Sequence, residues 1–217
     1  MTREEVLQQI RKVALVPVLR ATSADMAVKA AAAIEAGGIS LLEVTMTVPG
    51  AIDVISAVSK SSQGRVIVGA GTVLDAETAR ACMIAGAKFI VSPALQLATI
   101  EVCRRYAVAV IPGALTPTEI VTAWQAGADM VKVFPCGAVG GPKYLSALKG
   151  PLPQIELIPT GGVSLANAAD FLAAGACAMG VGSDLVDSSA MAKGNFEVIT
   201  ENARKYVAVV QQARVKV

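Results

Sequence analysis

With 217 residues, 54% of them hydrophobic and only 4% aromatic, the chain is long enough for one domain that buries roughly 70% of its unfolded surface. Its core must be Ala, Val, Ile and Leu, as in a parallel sheet covered by helices. The net charge of +2 includes no basic block and there are few aromatics to stack bases, which argues against a nucleic-acid partner.

No run approaches the roughly 18 apolar residues of a membrane span, so no membrane partner is expected. There is no histidine, which excludes Ser-His-Asp and Cys-His catalysis and zinc sites built on imidazole. Acid–base work falls to carboxylates, lysine, tyrosine, cysteine or the substrate's own groups.

The polar start, Met1-Thr2-Arg3-Glu4-Glu5, has no apolar run behind it and reads as a cytoplasmic protein. Residues 2–12 predict an extra N-terminal helix, after which short β-branched runs alternate with Ala-rich amphipathic stretches. The predicted strands cover residues 13–19, 40–45, 66–70, 89–92, 108–112, 130–134, 157–159 and 178–181. Helical patterns lie at 24–36, 76–85, 116–126 and 164–174, with a last helix at 195–214.

Ser23, Asp75, Thr116 and Ser164 stand where helix caps are needed, and Thr116 with Glu119 forms a capping box around Pro117. Ala36-Gly37-Gly38, Ala85-Gly86-Ala87, Ala126-Gly127-Ala128 and Ala174-Gly175-Ala176 precede the even-numbered strands, a helix-ending glycine repeated every second unit. Eight units predict an α/β fold, one (β/α)8 TIM barrel with an extra N-terminal helix spanning 1–217, ahead of an open doubly wound sheet. Cys82, Cys103, Cys136 and Cys177 show no CxxC spacing and read as free thiols, not a metal site.

In such a barrel the chemistry sits at the C-terminal strand ends. Lys132, in Met130-Val131-Lys132-Val133-Phe134, is the sharpest departure from an apolar strand. An unpaired buried ammonium is costly, so burial favours a neutral amine, and a neutral amine attacks carbonyls to form a Schiff base. The plainer reading is a lysine that snorkels to the rim or pairs with a carboxylate. Glu43, in Leu41-Leu42-Glu43-Val44-Thr45, supplies such a partner, and equally the proton-shuttling acid that carbon–carbon cleavage needs.

Pro159-Thr160-Gly161-Gly162-Val163-Ser164 after the seventh strand and Gly180-Val181-Gly182-Ser183 after the eighth stand where these barrels cradle phosphate. Taken singly, either is an ordinary turn. Arg20, closing the first strand, is either a bidentate grip on a carboxylate or phosphate or a solvated strand end. Thr72, after Gly69-Ala70-Gly71, could offer a hydroxyl to a carboxylate.

These residues, in this order, resemble the 2-keto-3-deoxy-6-phosphogluconate (KDPG) aldolases, a family that includes 4-hydroxy-2-oxoglutarate (KHG) and phosphogalactonate aldolases. The resemblance runs from about residue 13 to about residue 186. It is carried by Val16-Pro17-Val18-Leu19-Arg20, Leu42-Glu43-Val44-Thr45, Val68-Gly69-Ala70-Gly71-Thr72-Val73, Val91-Ser92-Pro93, Pro112-Gly113 and Thr116-Pro117-Thr118-Glu119. Val131-Lys132-Val133-Phe134-Pro135 and Pro159-Thr160-Gly161-Gly162-Val163 complete it.

The resemblance implies a class I aldolase of the Entner–Doudoroff type, a homotrimer that works without metal or cofactor on a 2-keto acid or phosphorylated sugar acid. Lys132 matches the Schiff-base lysine and Glu43 the general acid–base. Arg20 and Thr72 match groups near the pyruvate carboxylate and polar tail, Pro93 and Phe134 wall the pyruvate pocket, and Thr160, Gly161, Gly162 and Ser183 match the phosphate site. Two positions depart from the pattern: Thr47 stands near where many relatives carry arginine, and Gly137 where they often carry glutamate. Alternatives are a phosphogalactonate aldolase, a phosphate-binding isomerase, epimerase or synthase on the same fold, and a binding protein that has lost turnover.

Overall fold

The computed structural model describes residues 1–215. Helix α1 (Arg3–Val13) starts at a Thr2–Glu5 capping box and ends where Ala14 turns left-handed, with φ of 56°. That turn starts the first strand at Leu15, two residues later than the apolar run predicts. Strands β1 (Leu15–Leu19), β2 (Leu41–Thr45), β3 (Ile67–Gly71), β4 (Phe89–Val91) and β5 (Ala109–Ile111) follow. Then come β6 (Gly113–Ala114), β7 (Val131–Val133), β8 (Leu157–Pro159) and β9 (Met179–Val181).

The connecting helices are α2 (Ala24–Ala36), α3 (Ala51–Ser61), α4 (Ala76–Ala85), α5 (Leu97–Arg105), α6 (Pro117–Gln125), α7 (Pro142–Lys149), α8 (Ala168–Ala173) and α9 (Ser188–Ala192). The last helix, α10, runs Glu197–Val215. The caps expected at Ser23, Asp75 and Thr116 are present, the last with its full capping box. Gly38, Gly86, Gly127 and Gly175, from the four repeated motifs, all have positive φ.

Ser164 does not start a helix. Asn167 accepts from the Ser164 N–H at 2.8 Å and donates to the Gly162 carbonyl at 2.9 Å. Those bonds hold the chain in a turn, and α8 begins after Asn167.

The strands form a curled parallel sheet in two pieces, ordered β5-β4-β3-β2-β1-β9 and β6-β7-β8. Pro112 divides β5 from β6 because it has no N–H to give the ladder. Its carbonyl still accepts from Lys132 N at 2.9 Å, and the Val110 carbonyl from Asp129 N at 3.1 Å. On the far side, bridges pair Leu157 with Ala176 and Thr160 with Gly180.

Side chains alternate between the two faces of the sheet. Val16, Leu41, Ile67, Phe89, Val91, Ala109, Ile111, Met130, Ile158 and Ala178 pack together on the concave face. Ile90, Val110, Val131, Val133 and Val181 join the helices in the outer layer. Helix α1 inserts Val6, Leu7 and Ile10 into the concave cluster. Arg11 fixes this plug by donating from Nε and one terminal nitrogen to the two oxygens of Glu156, each at 2.8 Å. With that end filled, only the C-terminal ends of the strands are left to host a site. No helix among the described residues is long and apolar enough to cross a membrane.

Candidate active site

The period of two places the polar residues. Glu43 is two residues after Leu41 and Lys132 two after Met130, so both side chains point into the concave interior. Lys132 is 4% and Glu43 2% exposed. Lys132 Nζ lies 3.9 Å from Glu43 Oε1 and 5.2 Å from the centroid of the Phe134 ring, within cation–π reach.

Glu43 Oε1 is buried and accepts no hydrogen bond among the described residues. A buried ion pair needs its remaining lone pairs satisfied to repay desolvation, and this one does not satisfy them. Salt-bridge architecture alone leaves that oxygen unexplained.

Beside the pair lies a cavity of about 90 Å³ lined by Val18, Arg20, Phe134, Thr160, Gly161, Gly162, Val163, Gly182 and Ser183. Arg20 is the single charged residue of that lining, so the hollow favours an anion. The structure thus brings together the two predicted phosphate loops, Arg20 and Phe134. Phe134 joins the two halves, since its ring faces both Lys132 and the cavity. A larger hollow of about 600 Å³, lined by Leu172, Ala176 and Ala213 among others, contains none of the residues predicted for chemistry.

Thr72 and Pro93 stand at the same strand ends but outside the cavity wall. Thr72 follows β3 with φ of 57°, a costly conformation for a β-branched residue. The Pro93 backbone packs against Gly113, whose register partner in β7 is Lys132.

Sequence reasoning did not single out Gly71 as a site residue. A Cβ there would come within 1.8 Å of Glu43 Oε1; the glycine is the space the carboxylate occupies. Gly71→Ala is therefore expected to displace Glu43 and lower kcat/KM by about a hundredfold, the cost of roughly 1 Å of misplacement. Steady-state kinetics with a melting curve checks this, and an unchanged kcat/KM would show that Glu43 tolerates the shift.

The two departures from the family pattern have local explanations. Thr47 Oγ1 is 2.7 Å from Thr45 Oγ1, which donates to the Leu19 carbonyl at 3.1 Å, forming a chain of hydroxyls at the end of β2. Gly137 N donates to the Gly161 carbonyl at 2.8 Å, and a Cβ at Gly137 would lie 2.9 Å from Gly162 Cα. Any side chain here would force the 137 loop away from Gly161 and Gly162.

Cys136 is buried and free, and its Sγ donates to the Gly141 carbonyl at 3.7 Å. Burial pushes its thiol up to about 11, so at neutral pH it is protonated and weakly nucleophilic. The expected result is that Cys136 stays unlabelled by a thiol reagent in the folded protein at pH 7 and labels after denaturation. Rapid native labelling would mark it as a reactive site thiol. Among the described residues no group of three or more Cys, Asp or Glu is placed to hold a metal ion.

Known proteins resemble this chain in sequence and in fold. The family model for KDPG and KHG aldolase matches residues 6–202. The chain is 38% identical over 193 residues to the KHG/KDPG aldolase of Escherichia coli strain K12, covering 89% of this chain and 90% of that one.

A solved native KDPGal structure superposes with a TM-score of 0.86 at 32% identity, covering 94% of this chain and 96% of that one. KDPG aldolase from Legionella pneumophila, solved with pyruvate captured as a covalent carbinolamine, superposes with a TM-score of 0.85 at 29% identity, covering 91% and 96%. With the family model spanning almost the whole chain, the protein belongs to the KDPG and KHG aldolase family of carbon–carbon lyases.

Proposed function

We propose that this chain is a class I aldolase cleaving 2-keto-3-deoxy-6-phosphogluconate to pyruvate and glyceraldehyde 3-phosphate, with 4-hydroxy-2-oxoglutarate as a second substrate. The observation that carries the reading is the buried Lys132–Glu43 pair, 3.9 Å apart with an unpartnered carboxylate oxygen, next to an anion cavity bearing Arg20.

Lys132, as the neutral amine, attacks the C2 ketone; one amine proton and one proton delivered by Glu43 leave with the oxygen as water, so a protonated imine forms beside the Glu43 carboxylate. Glu43, directly or through one water, takes the proton of the C4 hydroxyl. The C3–C4 bond breaks, its electrons pass into the iminium to form an enamine, and the aldehyde departs. Glu43 returns a proton to C3, and hydrolysis releases pyruvate and the amine.

Arg20, Thr160, Ser183 and the Gly161–Gly162 backbone hold the phosphate, while Phe134 and Pro93 wall the keto-acid end and Thr72 faces its carboxylate. We further assign the curled sheet as a closed (β/α)8 barrel forming a single domain over the described residues 1–215. In support, β5 and β6 read as one strand interrupted at Pro112, and the Thr160–Gly180 bridge lies at the remaining seam. The functional unit we propose is a cytoplasmic homotrimer, and the exposed Leu74, Ile84, Leu97 and Trp124 give it apolar surface to bury.

The reading is tested by adding KDPG to the purified protein and following pyruvate with lactate dehydrogenase. Turnover at rates usual for metabolic enzymes is expected. No pyruvate from KDPG, 4-hydroxy-2-oxoglutarate or the phosphogalactonate epimer would remove the aldolase assignment for this chain.

A further inference from the structure

A phosphate held between Gly161–Gly162 and Gly182–Ser183 is held by two loops that leave different strands. Within the sheet, the Thr160–Gly180 bridge keeps β8 and β9 in step. Past the strand ends that ladder stops, and something else must set the spacing of the loops.

The groups that do so converge on Asp184, the residue after Ser183. Asp184 Oδ2 accepts from the Leu165 N–H at 3.2 Å, in the loop that carries Gly161 and Gly162. The same oxygen accepts from the Tyr206 hydroxyl at 2.5 Å. Asn202 Nδ2 adds a bond to the Asp184 carbonyl at 3.3 Å.

Tyr206 and Asn202 both belong to α10, which packs on α2 and α8. Tyr206 is wholly buried within the main core. A buried phenol needs a partner for its hydroxyl, and a phenylalanine would pack in the same space without one. The hydroxyl is directed at Asp184, which itself has no lysine or arginine partner among the described residues. Neither Asp184 nor Tyr206 lines the anion cavity, so their influence runs through the loops they hold.

We propose that Asp184 and Tyr206 are positioning residues: a junction on the C-terminal helix that sets the spacing of the two phosphate loops and so controls recognition of the phosphorylated substrate, not the imine chemistry. The inference rests on the aldolase reading above. It also goes beyond it, by assigning specificity to a helix that contributes nothing to the cavity wall.

The test compares the wild-type enzyme with Tyr206→Phe, Asp184→Ala and Asp184→Asn. Tyr206→Phe, which loses one hydrogen bond to a charged group, is expected to raise KM for KDPG about tenfold, and Asp184→Ala, which loses that bond and the one from Leu165, by at least as much. Inhibition by inorganic phosphate should weaken by the same factor. Two readouts that do not depend on phosphate affinity should hold at wild-type levels: kcat at saturating KDPG, and the rate at which the enzyme exchanges the methyl protons of pyruvate, which carries no phosphate, with deuterated water.

Asp184→Asn is expected to stay near wild type, because both hydrogen bonds arrive on one oxygen and an amide oxygen can accept both. Asp184 is exposed, so its variants test the junction even if Tyr206→Phe folds poorly. An unchanged KM in Asp184→Ala, or equal losses in KDPG cleavage and pyruvate exchange, would overturn the proposal. A wild-type enzyme that exchanges pyruvate protons but ignores phosphate contradicts this inference alone. One that does neither contradicts the aldolase reading itself.

Discussion

Lys132→Ala is expected to lower kcat for KDPG cleavage by about 10⁴ or more, the scale on which removing a nucleophile acts. Nothing nearby substitutes for the amine: Thr160 and Ser183 line the cavity, and a hydroxyl cannot form an imine. The substitution also strands Glu43, 2% exposed, without the cation 3.9 Å away. Removing one partner of a buried pair costs about 3–5 kcal/mol, so part of the loss could be read as unfolding. Lys132→Arg separates the effects, since it keeps a cation for Glu43 and removes the nucleophilic amine. A folded Lys132→Arg protein with no turnover is the expected outcome, with circular dichroism melts run beside the kinetics. Retention of more than a few per cent of activity would move the nucleophile elsewhere.

Glu43→Gln is expected to have the second-largest effect, lowering kcat by about 10²–10⁴, the range for a general acid–base. The amide preserves the volume facing Gly71 but cannot carry the proton. Imine formation does not need that proton from C4, so borohydride should still trap pyruvate on the variant, more slowly. Deuterium exchange at the pyruvate methyl, which runs through the enamine, should fall along with cleavage. If cleavage falls while exchange is unaffected, Glu43 acts on the aldehyde half alone and the shuttle role is wrong.

The strands were legible because β-branched runs bounded by glycine and proline are hard to place elsewhere, and the helix starts because a capping oxygen is a local device. Lys132 and Glu43 were legible as charges inside apolar runs, which water would otherwise claim. Sequence could not show that they sit 3.9 Å apart, because strands β2 and β7 meet only through the curl of the sheet.

Gly71 escaped notice for a related reason. A glycine closing a strand reads as a turn, and its function depends on a side chain from the neighbouring strand. Ser164 misled because serine caps helices in general, while here Asn167 Oδ1 accepts from the Ser164 N–H and holds a turn. Asp184 and Tyr206 were invisible, since an aspartate in a loop and a tyrosine in an amphipathic helix are ordinary until a distance joins them.

The central claim is that Lys132 forms the imine, and one measurement addresses it most directly. The intact protein is incubated with pyruvate, reduced with borohydride, weighed by mass spectrometry and mapped by peptide. The account predicts one reduced pyruvate adduct per chain, confined to the peptide containing Lys132 and absent from Lys132→Arg. An unmodified folded protein, or an adduct on another lysine, would contradict it.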